Sequence, residues 1–282
     1  MAVTTFIPEI WAARMLTELE KALVYGGVAN RDYEGEISQA GDTVHINSMV
    51  DPTIADYVAN TTVISPEDID TTDQTLLIDQ AKYFAFYVDD VDARQAAGGL
   101  IEGATQRASF GLRDAADQYL ASLYTAAHAD NQVGTVAITT GALAYSGLVN
   151  LKIRLDNQDV PTEGRWVVVP PWFHGLLLFD SKFIDASASG STDPLLNGRV
   201  GRAAGFDIRV SNNAPAVNAT DDTMVVAGHP MAMTFAQQIV KVEAYRPESS
   251  FSDAVKGLHV YGAKVVRPAA LATIQASVTA LA

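Results

Sequence analysis

Cysteine is absent from all 282 residues, which excludes disulfides, thiol catalysis and cysteine-ligated zinc together. Positive charge is scarce. Lysines and arginines number 19 against 33 acids, for a formal net charge of −14. A surface that acidic repels a phosphate backbone, so specific nucleic-acid recognition is disfavoured unless a local basic patch overrides it. Long apolar runs are also lacking: the most apolar window, Trp166 to Phe179, carries Pro170-Pro171 and is too short to cross a bilayer. No basic segment precedes an apolar stretch at the N-terminus, so neither a secretion signal nor a membrane partner is expected.

Motifs of catalysis are missing too. HExxH, GxSxG and GxxxxGK[ST] do not occur, and His45, His128, His174, His229 and His259 stand too far apart in the chain for a helical zinc pair. Gly198 to Gly205 is glycine-rich and basic, but a strand-like run follows it where a phosphate loop needs a helix. A tight turn with an interaction surface is the better reading. Asp89, Asp90 and Asp92 read as acids of a helix start rather than as cation ligands. No catalytic residue, cofactor site or metal site is assigned.

What is present supports a large core: 48% of residues are hydrophobic and only 18% charged. Trp11, Met15, Leu19 and Leu23 recur every four residues after Pro8-Glu9, which predicts an N-terminal helix ending at Gly26-Gly27. Residues 32–81 contain no lysine or arginine but eleven acids, Asp51, Asp56, Glu67, Asp68 and Asp70 among them. Within that stretch Thr43 to Asn47 alternates polar and apolar, and Thr75 to Ile78 and Tyr83 to Val88 are rich in β-formers. The pattern predicts a long two-stranded excursion with an acidic tip. A hairpin of that length is marginal alone, so it must lie against another surface.

Leucines and alanines at steps of four from Leu100 predict a helix running to about Ala127, roughly 42 Å long. Further on, Tyr145 to Leu155 reads as a helix capped by Ser146, and Arg165 to Val169 as a central strand. Pro170-Pro171 opens another helix, and Phe206 to Val210 and Val240 to Ala244 alternate as strands. Leu258 to Val266 is read as the final strand, stopped by Pro268. These elements make an α+β protein with several sheets, without the regular βαβ alternation of a doubly wound fold.

The ordered set Phe6 to Ile37, Gly41 to Met49, Tyr87 to Ala96, Arg165 to Leu178, Gly201 to Pro215 and Tyr261 to Ile274 resembles the major capsid proteins of tailed bacteriophages. Those proteins have the Hong Kong 97-type capsid fold, shared by encapsulins and herpesvirus capsid floors. The resemblance implies an N-arm at residues 1–31, an extended E-loop hairpin with its flanking strands at 32–86, and a peripheral-domain spine helix at 87–133. It places the axial domain at 134–254, with a return strand of the peripheral domain at 255–282.

It also implies a structural shell protein rather than an enzyme. Copies assemble as hexamers and pentamers of an icosahedral head that encloses double-stranded DNA without recognising it. A separate scaffolding protein and a portal are expected partners, with a decoration protein as a further one. Some members cross-link through an E-loop lysine; none lies in residues 32–81, so that chemistry is not expected. Candidate inter-subunit contacts are Trp11, the acids Asp51, Asp56, Glu67, Asp68 and Asp70, and the bases Arg94, Arg107, Arg113, Arg199 and Arg202. Two alternatives remain open here: an encapsulin-type compartment around a cargo enzyme, and a compact α+β enzyme using scattered carboxylates.

Overall fold

The computed structural model describes residues 23–32, 43–49, 53–57, 59, 68, 71–89, 100–180, 201–217, 222–247 and 252–277. The N-terminal helix, the loop from Ser181 to Asp193 and most of the acidic tip lie outside these residues.

Two strands open the described fold, β1 (Thr43–Met49) and β2 (Thr71–Leu77). They pair antiparallel from Thr43↔Leu77 to Met49↔Thr71, which is the excursion the alternating pattern called for. Only two residues separate β2 from β3 (Gln80–Asp89). β3 joins a different sheet, of order β10-β11-β3, with the long strands β10 (Met233–Tyr245) and β11 (Ser252–Val265). The sequence marked Val240 to Ala244 near the end of β10 and Leu258 onward in the second half of β11. A register shift between Ile239 and Lys241 breaks the period-two pattern in β10 and hides its full length.

Helix α1 (Leu100–Ser122) packs on this sheet through Leu112, Ala116 and Leu120, one apolar stripe at steps of four. The Tyr119 and Tyr261 rings meet edge-on at 5.6 Å across that seam. The helix is shorter than its periodicity suggested, tightening into a 3-10 turn at Leu123–Ala126. Hydroxyls explain the change: Ser122 Oγ donates to Tyr119 O at 2.6 Å and Thr125 Oγ1 to Ser122 O at 3.4 Å, competing for carbonyls of the last turn.

In the C-terminal third of α1, the buried Asp117 holds the incoming chain. Its Oδ1 accepts the N–H groups of Val24, Tyr25 and Gly26 at 3.1, 3.0 and 3.4 Å. Burial pushes the Asp117 carboxyl above its usual range, opposed by these backbone hydrogen bonds. Asn30 continues the attachment as a bridge to Thr234, donating to Met233 O and accepting from Phe235 N–H, both at 2.9 Å.

The larger sheet runs β4 (Gln132–Ala137), β12 (Leu271–Ser277), β9 (Asp222–Gly228), β5 (Trp166–Val169), β7 (Phe206–Val210) and β6 (Arg202–Ala203), with β8 (Ala216–Val217) beside β9. β5 lies between β9 and β7 and is buried throughout, as its continuous apolar run requires. Helices α2 (Gly141–Asp156) and α3 (Pro171–Leu178) supply leucines and Phe173 to the same core. α2 begins before the predicted cap, because Thr140, in extended backbone, accepts the Leu143 N–H through its hydroxyl at 3.3 Å. Ser146 lies inside the helix.

Pro268 does not end the strand-forming part of the chain. It opens a 3-10 turn, after which β12 runs antiparallel to β9 and parallel to β4 in the interior of the larger sheet. The alanine-rich segment had concealed a buried strand. The glycine-rich basic segment does make a tight turn: Ala204 and Gly205 take φ of 50° and 85°, the two-residue hairpin geometry that joins β6 to β7.

Two expected outcomes follow from buried polar groups. His259 is fully buried in β11, and neither ring nitrogen has a hydrogen-bond partner among the described residues. Burial lowers its pKa from 6.5 to about 4. The unfolded chain therefore binds the extra proton between these values, so stability holds above pH 6.5 and falls as the pH drops toward 4. The loss is about 3 kcal/mol. Denaturant titrations of the unassembled subunit across this range should show it, and His259→Leu should flatten the slope. Separately, Asp117→Ala strands three amides and should lower stability by about 2–4 kcal/mol in the same assay.

Candidate assembly surfaces

Surfaces that need a partner are recognised here by apolar side chains left in water. The hairpin β1–β2 has two unlike faces, as a strand pair must. Val44, Ile46, Leu76 and Ile78 point inward and bury against Ala236 and Val260 of the β10-β11-β3 sheet. The other face shows His45, whose Nδ1 lies 2.7 Å from Asp73 Oδ2, and the half-exposed Leu77. Beyond β1, Ile54 is 96% exposed and Tyr57 68%. Asp56 beside them and Asp68 on the returning limb are exposed too.

A second surface lies on the sheet. Alternation along β3 sends Tyr83, Ala85 and Tyr87 to one exposed face, while Phe84 and Phe86 stack at 6.0 Å on the other. Tyr83, Ala85, Lys256 and Leu258 line part of a groove of about 420 Å³. The Lys256 ammonium sits 2.8 Å from Glu243 Oε2 and 5.2 Å from the centre of the Tyr245 ring. β3 is also one of the two outer strands of its sheet among the described residues.

The arginines expected at contacts are differently placed. Arg107 is exposed on α1. Arg113 is half-buried and lies 4.2 Å above the ring of the exposed Phe110. Arg202 is exposed, but its Nε already donates to Asp207 at 2.9 Å within the β6–β7 hairpin. Trp11, Asp51, Glu67, Asp70, Arg94 and Arg199 lie outside the described residues. Sequence reasoning stressed charge and passed over Ile54, Tyr57, Tyr83, Tyr87 and Phe110. The signal for the tyrosines was available in the Tyr83 to Val88 run, whose alternate positions must face opposite sides.

Among the described residues no group of three or more His, Asp or Glu is placed to hold a metal ion. His128 and His229 accept backbone N–H groups at the starts of 3-10 turns. Among the described residues no helix is long and apolar enough to cross a membrane.

Comparison with known proteins assigns the geometry. A family model described as phage capsid protein matches residues 70–274. The chain belongs to the phage capsid protein family. A solved chain from Mycobacterium phage Che8 is 35% identical, with a TM-score of 0.76, covering 97% of this capsid protein and 98% of that chain. The capsid of Cyanophage P-SCSP1u shares the fold at 16% identity and a TM-score of 0.75, covering 99% and 91%. The mature capsid of bacteriophage PhiM1 does so at 19% identity and a TM-score of 0.69, covering 90% and 87%. No curated protein matches the chain.

The α+β class and the capsid fold read from the sequence are therefore those of this capsid protein, and its place is the virion capsid. The compartment alternative is not favoured, since the matched family and structures are phage capsids.

Exposed apolar side chains contribute little to the stability of their own subunit. Ile54→Ser with Tyr57→Ser should therefore leave the thermal midpoint of the capsid subunit unchanged within about 2 °C. The same pair should weaken self-association at least tenfold, read by sedimentation.

Proposed function

We propose that copies of this capsid protein tile a closed icosahedral head as hexamers and pentamers, enclosing double-stranded DNA and performing no catalysis. The observation that carries this reading is the β1–β2 hairpin, whose base is seated on its own subunit while Ile54 and Tyr57 beyond it stand in water. Such residues gain their burial only from another molecule, at about 25 cal/mol for each Å² of apolar surface covered. In a closed shell each copy both offers this limb and receives one, so a modest contact is repeated at every interface.

The limb corresponds to the E-loop at 32–86, following an N-arm at 1–31. Residues 87–133 supply the peripheral spine helix, 134–254 the axial domain and 255–282 the peripheral return. Strand β12 ties that last segment into the larger sheet as well. The net charge of −14 suits an inner wall that confines DNA without gripping it. A separate scaffolding protein would time closure, a portal would occupy one vertex, and a decoration protein would meet the outer face.

The acids of the limb act chiefly in orientation, because an exposed ion pair contributes only about 0–1 kcal/mol. Asp51, Asp56, Glu67, Asp68 and Asp70 are the acidic partners in this reading. Trp11 is an apolar contact, and Arg94, Arg107, Arg113, Arg199 and Arg202 are the bases.

Expression of the chain, alone and with a candidate scaffolding protein, tests the reading by size-exclusion chromatography and negative-stain microscopy. Closed particles in the megadalton range are expected; a stable monomer under every condition defeats it. Asp68→Lys with Asp70→Lys should leave a soluble subunit and reduce particle yield at least tenfold. Normal shells from that variant would remove the acidic limb from the assembly mechanism.

A further inference from the structure

We propose that Gly262 and Ile78 form a seat that sets the direction in which the β1–β2 hairpin leaves the subunit, making Gly262 a positioning residue for shell assembly. The inference rests on the shell reading above and names a determinant within it.

The chain crosses from one sheet to another over Ile78 and Asp79, between the end of β2 and the start of β3. The crossing passes directly over β11. A Cβ placed on Gly262 would collide with Leu77 O and stand 2.9 Å from Ile78 Cδ1 and 3.0 Å from Ile78 Cα. Two of those three atoms are backbone, so a side chain there would have to lift the crossing itself rather than turn a rotamer. Gly262 is not among the glycines with positive φ. It is required for space, not for an unusual backbone conformation.

Around this contact the hairpin base has a core of its own. Ile78 and Leu76 are fully buried with Val44 and Ile46 against Ala236 and Val260, in a cluster separate from the main core. Two hydrogen bonds lie alongside: Lys264 Nζ donates to Thr75 O at 2.9 Å, and Gln74 Nε2 to Val266 O at 3.4 Å. Gly262 and Lys264 on β11 and Val266 just past its end follow one another, while Ile78, Thr75 and Gln74 follow one another toward the hairpin. The limb is thus fastened along a line, which resists pivoting as a single point would not. β2 extends about 24 Å from the seat, so a small tilt there becomes a large displacement at the tip.

The test compares wild type with Gly262→Ala and Ile78→Ala, the second of which adds no atoms. Hydrogen exchange on the unassembled subunit reads residues 43–49 and 71–77 against the main core, and microscopy reads shell shape. Both variants should keep main-core protection and exchange the hairpin amides about tenfold faster or more. Closed shells of wild-type size should give way to open or irregular ones. Wild-type shells from both variants, or irregular shells with unchanged hairpin exchange, overturn the proposal. If Gly262→Ala unfolds the whole subunit, Ile78→Ala decides by the same two readings. Wild type that fails to assemble would defeat the shell reading instead, and the exchange comparison would still decide the seat.

Discussion

Two strands paired only with each other are marginal in water, and the β1–β2 hairpin escapes that limit at one end only. Its base gains a buried face from β10 and β11, while the chain beyond it carries Ile54 and Tyr57 into solvent. The remaining architecture follows from this asymmetry. A body must hold the base still, and the single chain supplies that while Ile54 and Tyr57 stay uncovered on it.

The body is organised to hold still. Helix α1 lies across the β10-β11-β3 sheet through a stripe of leucine and alanine, and Asp117 on it gathers the amides of Val24 to Gly26. The segment that follows the N-terminal residues is therefore tied to the same rigid pair that carries the hairpin. A second buried polar contact works similarly in the other half. Arg165, almost fully buried at the start of β5, reaches Asp156 at the end of α2 at 2.6 Å. Hydrogen bonds from Lys152 and Arg165 hold the Asp156 carboxyl below its usual range.

How much of this was legible depended on whether a residue's role was local. The alternation of Thr43 to Asn47 and the aromatic run from Tyr83 to Val88 announced strands, because a strand's side chains declare its two faces. The step-of-four stripe announced α1 for the same reason at a different period. The helix end was misjudged because Ser122 and Thr125 act on carbonyls, and apolar periodicity carries no record of that. β12 was missed because Leu271 to Ser277 is buried on both faces, where alternation vanishes and alanine lends a helical look. Contact surfaces were sought in charge, while the exposed apolar side chains became visible only once the hairpin and β3 had faces.

The sequence by itself determined the class of molecule. Lack of cysteine excluded thiol chemistry, a strong excess of acids disfavoured nucleic-acid recognition, and ordered motifs across nearly the whole chain pointed to a shell protein. These are properties of composition and local order, which survive without coordinates. Only the tertiary structure decided which glycine lies beneath the crossing from β2 to β3, which side of β3 meets water, and that a late alanine-rich segment completes the larger sheet. Each depends on atoms brought together from positions far apart along the chain, Leu77 with Gly262 and Gln132 with Thr273 among them. Such distances exist only after the chain has closed on itself.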